Sequence, residues 1–406
     1  MNPLRVLIAF DKFKDALSAP QACELAARAV GAERTGWRLD LCPLADGGEG
    51  FAGILTEAAH GRLSTISVTG PRGGPVEAPI GRVALDEIPK AARILLELDA
   101  SAPDGDKDGL AAPERGQGGG LAVIEMAAAS GLALLEPRDR DPWQTTSLGT
   151  GQLIRAAGES GAAAVLLGVG GSATHDLGLG ALSALGYEFR AADGGPLAPP
   201  IPASWARLAR LGGGRLPSIP PIRIACDVAN PLLGPRGAAA VFGPQKGLAP
   251  ADFDRLEAES ARMAALLCDY TGRPRELAAR PGAGAAGGIA FGLMACAGAR
   301  LIPGSSLVGA WLDLEARLAA ADLVLTGEGR FDESSWEGKG PGAIAARALE
   351  LGKTVHIFAG QLEGVRKRPD ARVFFHAITP SGIPLPQALR DAGPNLAAAV
   401  RRAFLF

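Results

Sequence analysis

The chain begins and ends on the same rhythm, and that constrains its fold more than any other feature. RVLIAF at the N-terminus is a short run of β-formers. A polar loop follows, then a helical pattern capped by Ser18 and running to about Val30. WRLDLCPL, the loop ADGGEG and an alanine-rich helix from about Phe51 to Ala59 repeat the unit, and RLSTISVTG ends it at the turn residues GPRGG. The last third returns to this pattern, with helices over 307–320, 343–351 and 395–404 and strands in ADLVLTG, KTVHIFAG and ARVFFHAI. Strands alternating with helices predict a parallel sheet covered on both faces.

The middle reads differently. Residues 76–85 and 93–98 alternate or run apolar with only short turns between them, which predicts antiparallel pairing. LAVIEMA, AAAVLLGV and IRIACDV read as further strands, with helices over 145–159, 173–185 and 252–267. Residues 101–120 are rich in Gly, Pro, Asp and Ala without apolar period and are expected to form an exposed, mobile loop. The expected fold is α/β. Residues 1–75 plus 290–406 form a doubly wound, Rossmann- or flavodoxin-like domain, residues 76–289 form an inserted mixed α+β domain, and an active-site cleft lies between them.

At 406 residues the chain can bury a core without disulfides or metals. Lys plus Arg number 41 against 43 Asp plus Glu, so no basic excess points to nucleic acid or an anionic membrane. The five cysteines are scattered and odd in number, with no CxxC pair, which fits reduced, buried thiols. Gly282 to Ala299 carries no charge, but it is mostly Gly and Ala and reads as a buried helix entered through a glycine turn, not a membrane span. The N-terminal run lacks the parts of a signal peptide, so a cytoplasmic location is expected.

Ligands of open α/β sheets sit beyond the carboxyl ends of strands. Polar residues collect there at almost every strand of this chain. DKFKDALS places Asp11, Lys12, Lys14 and Asp15 after the first strand, and ADGGEG places Asp46, Gly47, Gly48 and Glu49 after the second. GGSATHD brings Gly170, Gly171, Ser172 and Asp176; DVANPL brings Asp227 and Asn230; GEGRFDESSWEGK brings Glu328, Asp332 and Lys339. One polar loop would be unremarked, since loops are polar; five, most with glycine beside an acid, describe a site. GVGGSA feeds a strand into a helix start whose free N–H groups suit phosphate or carboxylate, although a tight turn needing glycine explains it equally well. PGAGAAGG contains GxGxxG, but no strand precedes it, so a dinucleotide site is discounted. No Walker loop, HExxH or GxSxG occurs, and the four histidines are dispersed. Glycine loops with acids and lysines suit phosphoryl transfer, which works by positioning and charge neutralisation. Spacing alone does not choose the substrate.

IAFDKFKDALSA, PLADGGEG, IEMAAASGL, TTSLGTGQLI, GVGGSATHD, CDVANPLLGPRGAAAVFGPQKG, PGAGAAGG, LIPGSSLV and DLVLTGEGRFDESSWEGK, in this order, closely resemble the bacterial-type (type 1) glycerate kinase family. The resemblance implies ATP- and Mg²⁺-dependent phosphorylation of D-glycerate, with hydroxyl 2 favoured over hydroxyl 3 as acceptor. It supports Lys14 as a phosphate contact and Asp176 and Asp227 as candidates for orienting or deprotonating the hydroxyl. Asp11, Asp46 and Glu49 would serve Mg²⁺ or substrate. Asp332 is a candidate Mg²⁺ ligand, and Glu328 and Lys339 would line the nucleotide side. Ser172 and Thr146 would donate to the carboxylate, and Asn230, Lys246 and Gly284 complete the binding set. For Asp176 and Asp227, a helix-start or turn role weighs equally. His175 stands where the family usually has Asn, Leu177 where it has Gly, and ESSWEGK lacks a common Gln, so a kinase for another small hydroxy acid is the alternative. A phosphoglycerate sensor is the rival from another class, but it would be expected to lose acids that this chain retains. No nucleic-acid or membrane partner is expected, and a homodimer is left open.

Overall fold

The structure is a computed structural model that describes residues 3–98, 119–337, 340–364 and 370–404. Residues 101–118 of the expected loop, and Lys339, lie outside the described residues. The strands are β1 (Arg5–Phe10), β2 (Arg38–Leu41), β3 (Arg62–Thr69), β4 (Pro75–Val83), β5 (Leu121–Glu125), β6 (Ala164–Gly168), β7 (Tyr187–Ala191), β8 (Leu208–Gly213), β9 (Ile222–Ala225), β10 (Arg300–Ile302), β11 (Leu323–Phe331), β12 (Thr354–Leu362) and β13 (Val373–Ala377). They fall into two compact units, Met1–Asp46 with Val308–Phe406, and Gly47–Leu307. The architecture is mixed α/β, with one parallel and one mixed sheet.

The first unit carries a five-stranded sheet in the order β13-β12-β11-β1-β2, parallel throughout. Parallel strands are covered on both faces and so read as unbroken apolar runs; β1 is buried from Val6 to Phe10. Val6, Ile8 and Phe10 share a core with Phe358 of β12, with Ala22, Cys23, Ala26 and Val30 of the helix Ala19–Glu33, and with Leu396 and Val400 of the closing helix Ala392–Phe404. The first of these helices starts where Ser18 predicts. Ser18 Oγ accepts from the Gln21 amide, Gln21 Oε1 accepts from the Ser18 amide, and Pro20 occupies the first turn.

The second unit holds a six-stranded sheet, β10-β9-β6-β5-β4-β3, and the ribbon β7-β8. β3 and β4 pair antiparallel, as do β4 and β5, and the remaining neighbours of the large sheet are parallel. β5 and β6 are buried along their whole length. The glycine-rich stretch after Gly282 forms the buried helix Ala285–Ala297. Among the described residues no helix is long and apolar enough to cross a membrane.

Three details depart from the sequence pattern. The helix expected over 173–185 begins only at Leu179, so the GVGGSA turn leads into a loop and not into a helix start. Residues 47–75 and 290–307 fall in the second unit, because β3 pairs with β4 from Arg62 opposite Arg82 to Thr69 opposite Pro75, and β10 lies beside β9. The strand expected over 93–98 is the end of a short helix, Lys90–Leu95. Ala92 within it, Ile88 before it and Leu96 just after it are buried, spaced by four rather than two.

Phe358→Ala should remove about 3–5 kcal/mol from the first unit. Denaturant unfolding followed by a probe in that unit checks this; an unchanged midpoint would mean that this core does not hold the unit together.

Candidate functional site

In the second unit the loop after Asp46 and the turn after β6 form one interlocked piece. The Gly170 amide donates to the Gly47 carbonyl at 2.9 Å. A Cβ on Gly170 would sit 2.8 Å from Gly48 Cα, and one on Gly168 would sit 2.5 Å from the Gly47 carbonyl oxygen. Side chains are excluded because two backbones touch here. Glu125, at the end of β5, holds the same loop from below, accepting from the Gly50 amide at 3.2 Å and the Ala52 amide at 2.8 Å. This buried carboxylate sits at the start of the helix Phe51–Ala58, where N–H groups need partners and negative charge is favoured. Glu49 is exposed.

Asp176 is fully buried. Its Oδ2 accepts from the Ser147 amide (2.7 Å), the Ser147 hydroxyl (2.8 Å) and the Gly180 amide (3.2 Å); its Oδ1 accepts from the Gly178 amide (3.1 Å). These donors stand at the starts of two helices, Leu148–Glu159 and Leu179–Ala184. Burial pushes the Asp176 carboxyl above its ordinary range, and the donors pull it back. Thr146 is buried beside it. Its amide donates to the Pro71 carbonyl at 3.0 Å, and its Oγ1 accepts from the Leu148 amide at 3.2 Å.

Lys246 is only 1% exposed. Its Nζ donates to the Thr174 carbonyl at 2.6 Å and to Ser172 Oγ at 3.1 Å. Burial lowers its pKa to about 7, against the attraction of Asp176. His175 lies between Thr174 and Asp176, fully buried, with Nε2 and Ser260 Oγ 3.1 Å apart. Burial first, and Lys246 second, hold its pKa down at about 3, so this histidine is neutral. Leu177 adopts a left-handed backbone, φ 51°, a conformation that favours glycine. The PGAGAAGG segment supports this loop. A Cβ on Gly287 would collide with the Thr174 carbonyl, and one on Gly292 with the Leu177 carbonyl. Gly284 packs on the Pro231 carbonyl and donates its amide to the Asn230 carbonyl at 3.0 Å. Asn230 Nδ2 donates to the Arg236 carbonyl at 2.8 Å. Asp227, past the end of β9, accepts from the Ser305 amide at 2.9 Å and the Ser305 hydroxyl at 3.1 Å, at the start of the helix Gly304–Trp311.

The first unit gathers acids. Asp11 follows β1 and accepts from the Lys12 amide at 2.7 Å, and Lys12 Nζ lies 3.5 Å from Asp46 Oδ1. Burial and then the charge of Asp46 raise Asp11 to about 6. Glu328, inside β11, is raised to about 7 by burial, against a hydrogen bond from Ser335 and with the repulsion of Asp11, Asp332 and Asp46 added. Asp332 behaves oppositely. The Ser334 hydroxyl and amide donate to its Oδ1 at 2.5 and 2.9 Å and hold it below the ordinary carboxylate range, with Arg330 3.4 Å from Oδ2. Lys14 is exposed on the loop after β1, where its main-chain nitrogen would lie 3.2 Å from a Cβ on Gly329.

The structure therefore collects Asp176, Lys246, Ser172 and the glycine turn in one unit, and Asp11, Asp46, Glu328 and Asp332 in the other. Glu125, Ser147, Ser260 and Ser305 escape sequence reasoning. Only Glu125 had a local signal, an acid closing an apolar strand.

Glycine turns, a buried lysine near neutrality and clustered carboxylates are the equipment of an enzyme that moves phosphoryl groups: a kinase. Comparison gives the family. The glycerate kinase family model matches residues 6–405, and the chain belongs to that family. Glycerate kinase of Bacillus subtilis strain 168 is 36% identical over 98% of this chain and 96% of its own length. Glycerate 2-kinase of Escherichia coli K12 is 34% identical over 98% of this chain and 96% of its own length. A crystal structure from Salmonella typhimurium LT2, provisionally designated glycerate kinase 2, superposes with a TM-score of 0.71 at 35% identity, covering 99% of this chain and 98% of that one.

Two outcomes follow from the geometry. Asp176→Asn must turn an NH₂ toward amides that themselves need an acceptor. It should cost about 1–3 kcal/mol for each donor left unmet, read as a lower unfolding midpoint; an unchanged midpoint would remove Asp176 from the frame. Glu328 binds its proton more tightly folded than unfolded, so its contribution to stability is full below about pH 4.5 and is lost as pH rises to about 7. Glu328→Gln should therefore match the parent near pH 4 and exceed it in stability near pH 8; parallel stability curves would refute the raised pKa.

Proposed function

We propose that this protein transfers the γ-phosphoryl group of ATP to hydroxyl 2 of D-glycerate, giving 2-phosphoglycerate. Lys246 carries this reading. A lysine bonded to Ser172 and the Thr174 carbonyl, buried beside Asp176 and able to gain or lose its proton near pH 7, offers an ammonium donor held in one place in a dry setting. There a donor aimed at developing charge acts most strongly. Membership of the glycerate kinase family supports the acceptor, and the name of the Escherichia coli relative supports hydroxyl 2.

In this reading Asp176 keeps Lys246 charged and its loop in place. Asp227 orients the acceptor hydroxyl and takes its proton, while Ser172, Thr146 and Asn230 position the acid. Gly170, Gly171, Gly47 and Gly48 present backbone near phosphate. Lys14 and Lys339 contact phosphate on the nucleotide side. Among the described residues no group of three or more His, Cys, Asp or Glu side chains is placed to hold a metal by itself. Mg²⁺ usually takes one or two carboxylates and completes its shell with water and phosphate. Asp11 and Glu328, both raised by burial and by neighbouring acids, fit that habit, because a cation would relieve their repulsion. Asp332 is already engaged by Ser334 and Arg330. When bound with ATP, Mg²⁺ would neutralise charge on the transferred group. The terminal unit, with its parallel sheet, is proposed to be the doubly wound domain, and the cytoplasm is the proposed location.

ADP release with D-glycerate, ATP and Mg²⁺, with the product read by phosphorus NMR, tests the reaction. Turnover yielding 2-phosphoglycerate is expected; turnover only with another hydroxy acid would trace to His175 and Leu177 beside Asp176. Lys246→Met should lower kcat by about 10²–10³-fold, the loss typical of one donor at developing charge. A kcat within twofold of the parent would overturn its role.

A further inference from the structure

The loop before Thr145 holds a cation with an unmet donor. Arg140 is half-buried, but its Nε is sealed from solvent and has no hydrogen-bond partner among the described residues. An unpaired buried donor is expensive, more so on a charged group, and native structures keep few of them. The neighbouring cation Arg255 is different, because it lies over the Trp143 ring at 4.4 Å.

Arg140 belongs to the frame of the site. Gly247 has φ +90°, and its Cα faces the Arg140 carbonyl so closely that a Cβ would collide with it. Lys246 is the adjacent residue. Downstream of Arg140, Thr145 Oγ1 donates to the Ala173 carbonyl at 3.3 Å and Ser147 binds Asp176. The 140–147 segment thus touches Gly247 at one end and the 173–176 loop at the other. A second buried group, on the loop that this segment touches, also lacks a partner among the described residues: Thr174 Oγ1, on the residue whose carbonyl accepts from Lys246.

We propose that Arg140 binds the carboxylate of the acceptor acid, with Thr174 Oγ1 as a further donor, and so makes the enzyme select acids over neutral polyols. This rests on the reading of the second unit as the hydroxy-acid side. Three considerations favour a carboxylate. A guanidinium fork matches two coplanar oxygens. The carboxylates suited to a metal-bound nucleotide belong to the other unit. Lys246 is left for the charge that develops at the hydroxyl.

The test is Arg140→Met and Arg140→Lys, with KM measured separately for D-glycerate and ATP, and with D-glyceramide as the neutral analogue. Arg140→Met should raise KM for D-glycerate about 10- to 100-fold, the range of a lost charged hydrogen bond. It should leave KM for ATP within twofold and narrow the preference for glycerate over glyceramide; Arg140→Lys should recover part of the loss. An unchanged KM for D-glycerate in either folded variant overturns the proposal, as does a rise confined to ATP. Should Arg140→Met not fold, Arg140→Lys decides alone, because it keeps the charge and loses the fork. If the parent uses another hydroxy acid and not glycerate, the glycerate reading fails. The same KM comparison on that acid then decides the role of Arg140.

Discussion

A carboxylate sealed from water organises the second unit. Removing a charge from solvent is costly unless hydrogen bonds replace hydration, and Asp176 obtains them from Ser147, Gly178 and Gly180. Those partners lie on separate stretches of chain, so satisfying one side chain fixes where two helices begin. The same charge then acts outward. Burial alone would strip the proton from Lys246, and Asp176 works against that. His175, next in sequence, has no such counter-charge in its favour and stays neutral. Adjacent buried groups thus differ in charge through their partners and not their depth.

The acids of the first unit follow the opposite logic. Asp11 and Glu328 are raised because burial and like charge act together, whereas Asp332 is satisfied within its own turn by Ser334. Two carboxyls left poorly compensated cost stability wherever they are ionised, which is why the proposed reading assigns them to a cation. The surface pair of Lys12 and Asp46, at 3.5 Å, offsets little of this.

Much of the fold was legible because parallel strands covered on both faces spell themselves as apolar runs: RVLIAF, LAVIE and AVLLG all lie buried in sheets. The start of the helix at Ala19 was legible for a local reason too, since Ser18 and Gln21 cap each other within one turn. Whatever depends on distant partners was not. Nothing in RLSTISVTG says that it will pair with β4 and so leave the terminal unit. Nothing in TTSLG says that Ser147 will meet Asp176, nor in AESARM that Ser260 will meet His175. Strand-end reasoning gathered the acids and the glycine turns. It passed over Arg140, which lies in a loop with no strand before it and whose interest comes from a missing partner.

The packing of GGSATHDL against PGAGAAGG has a consequence beyond shape. Gly287 lies against Thr174 and His175 closely enough that it cannot accept a side chain while that loop holds its present course, and Gly288, at φ +88°, packs tightly on Leu177. The two segments, more than a hundred positions apart, are therefore sterically coupled. Leu177, a branched residue in a left-handed conformation, has room for its Cγ because Gly288 opposite it carries no side chain. Lineages that change the first segment should be found to have changed the second, and a chimera that swaps either one alone should inherit a clash in place of a new specificity.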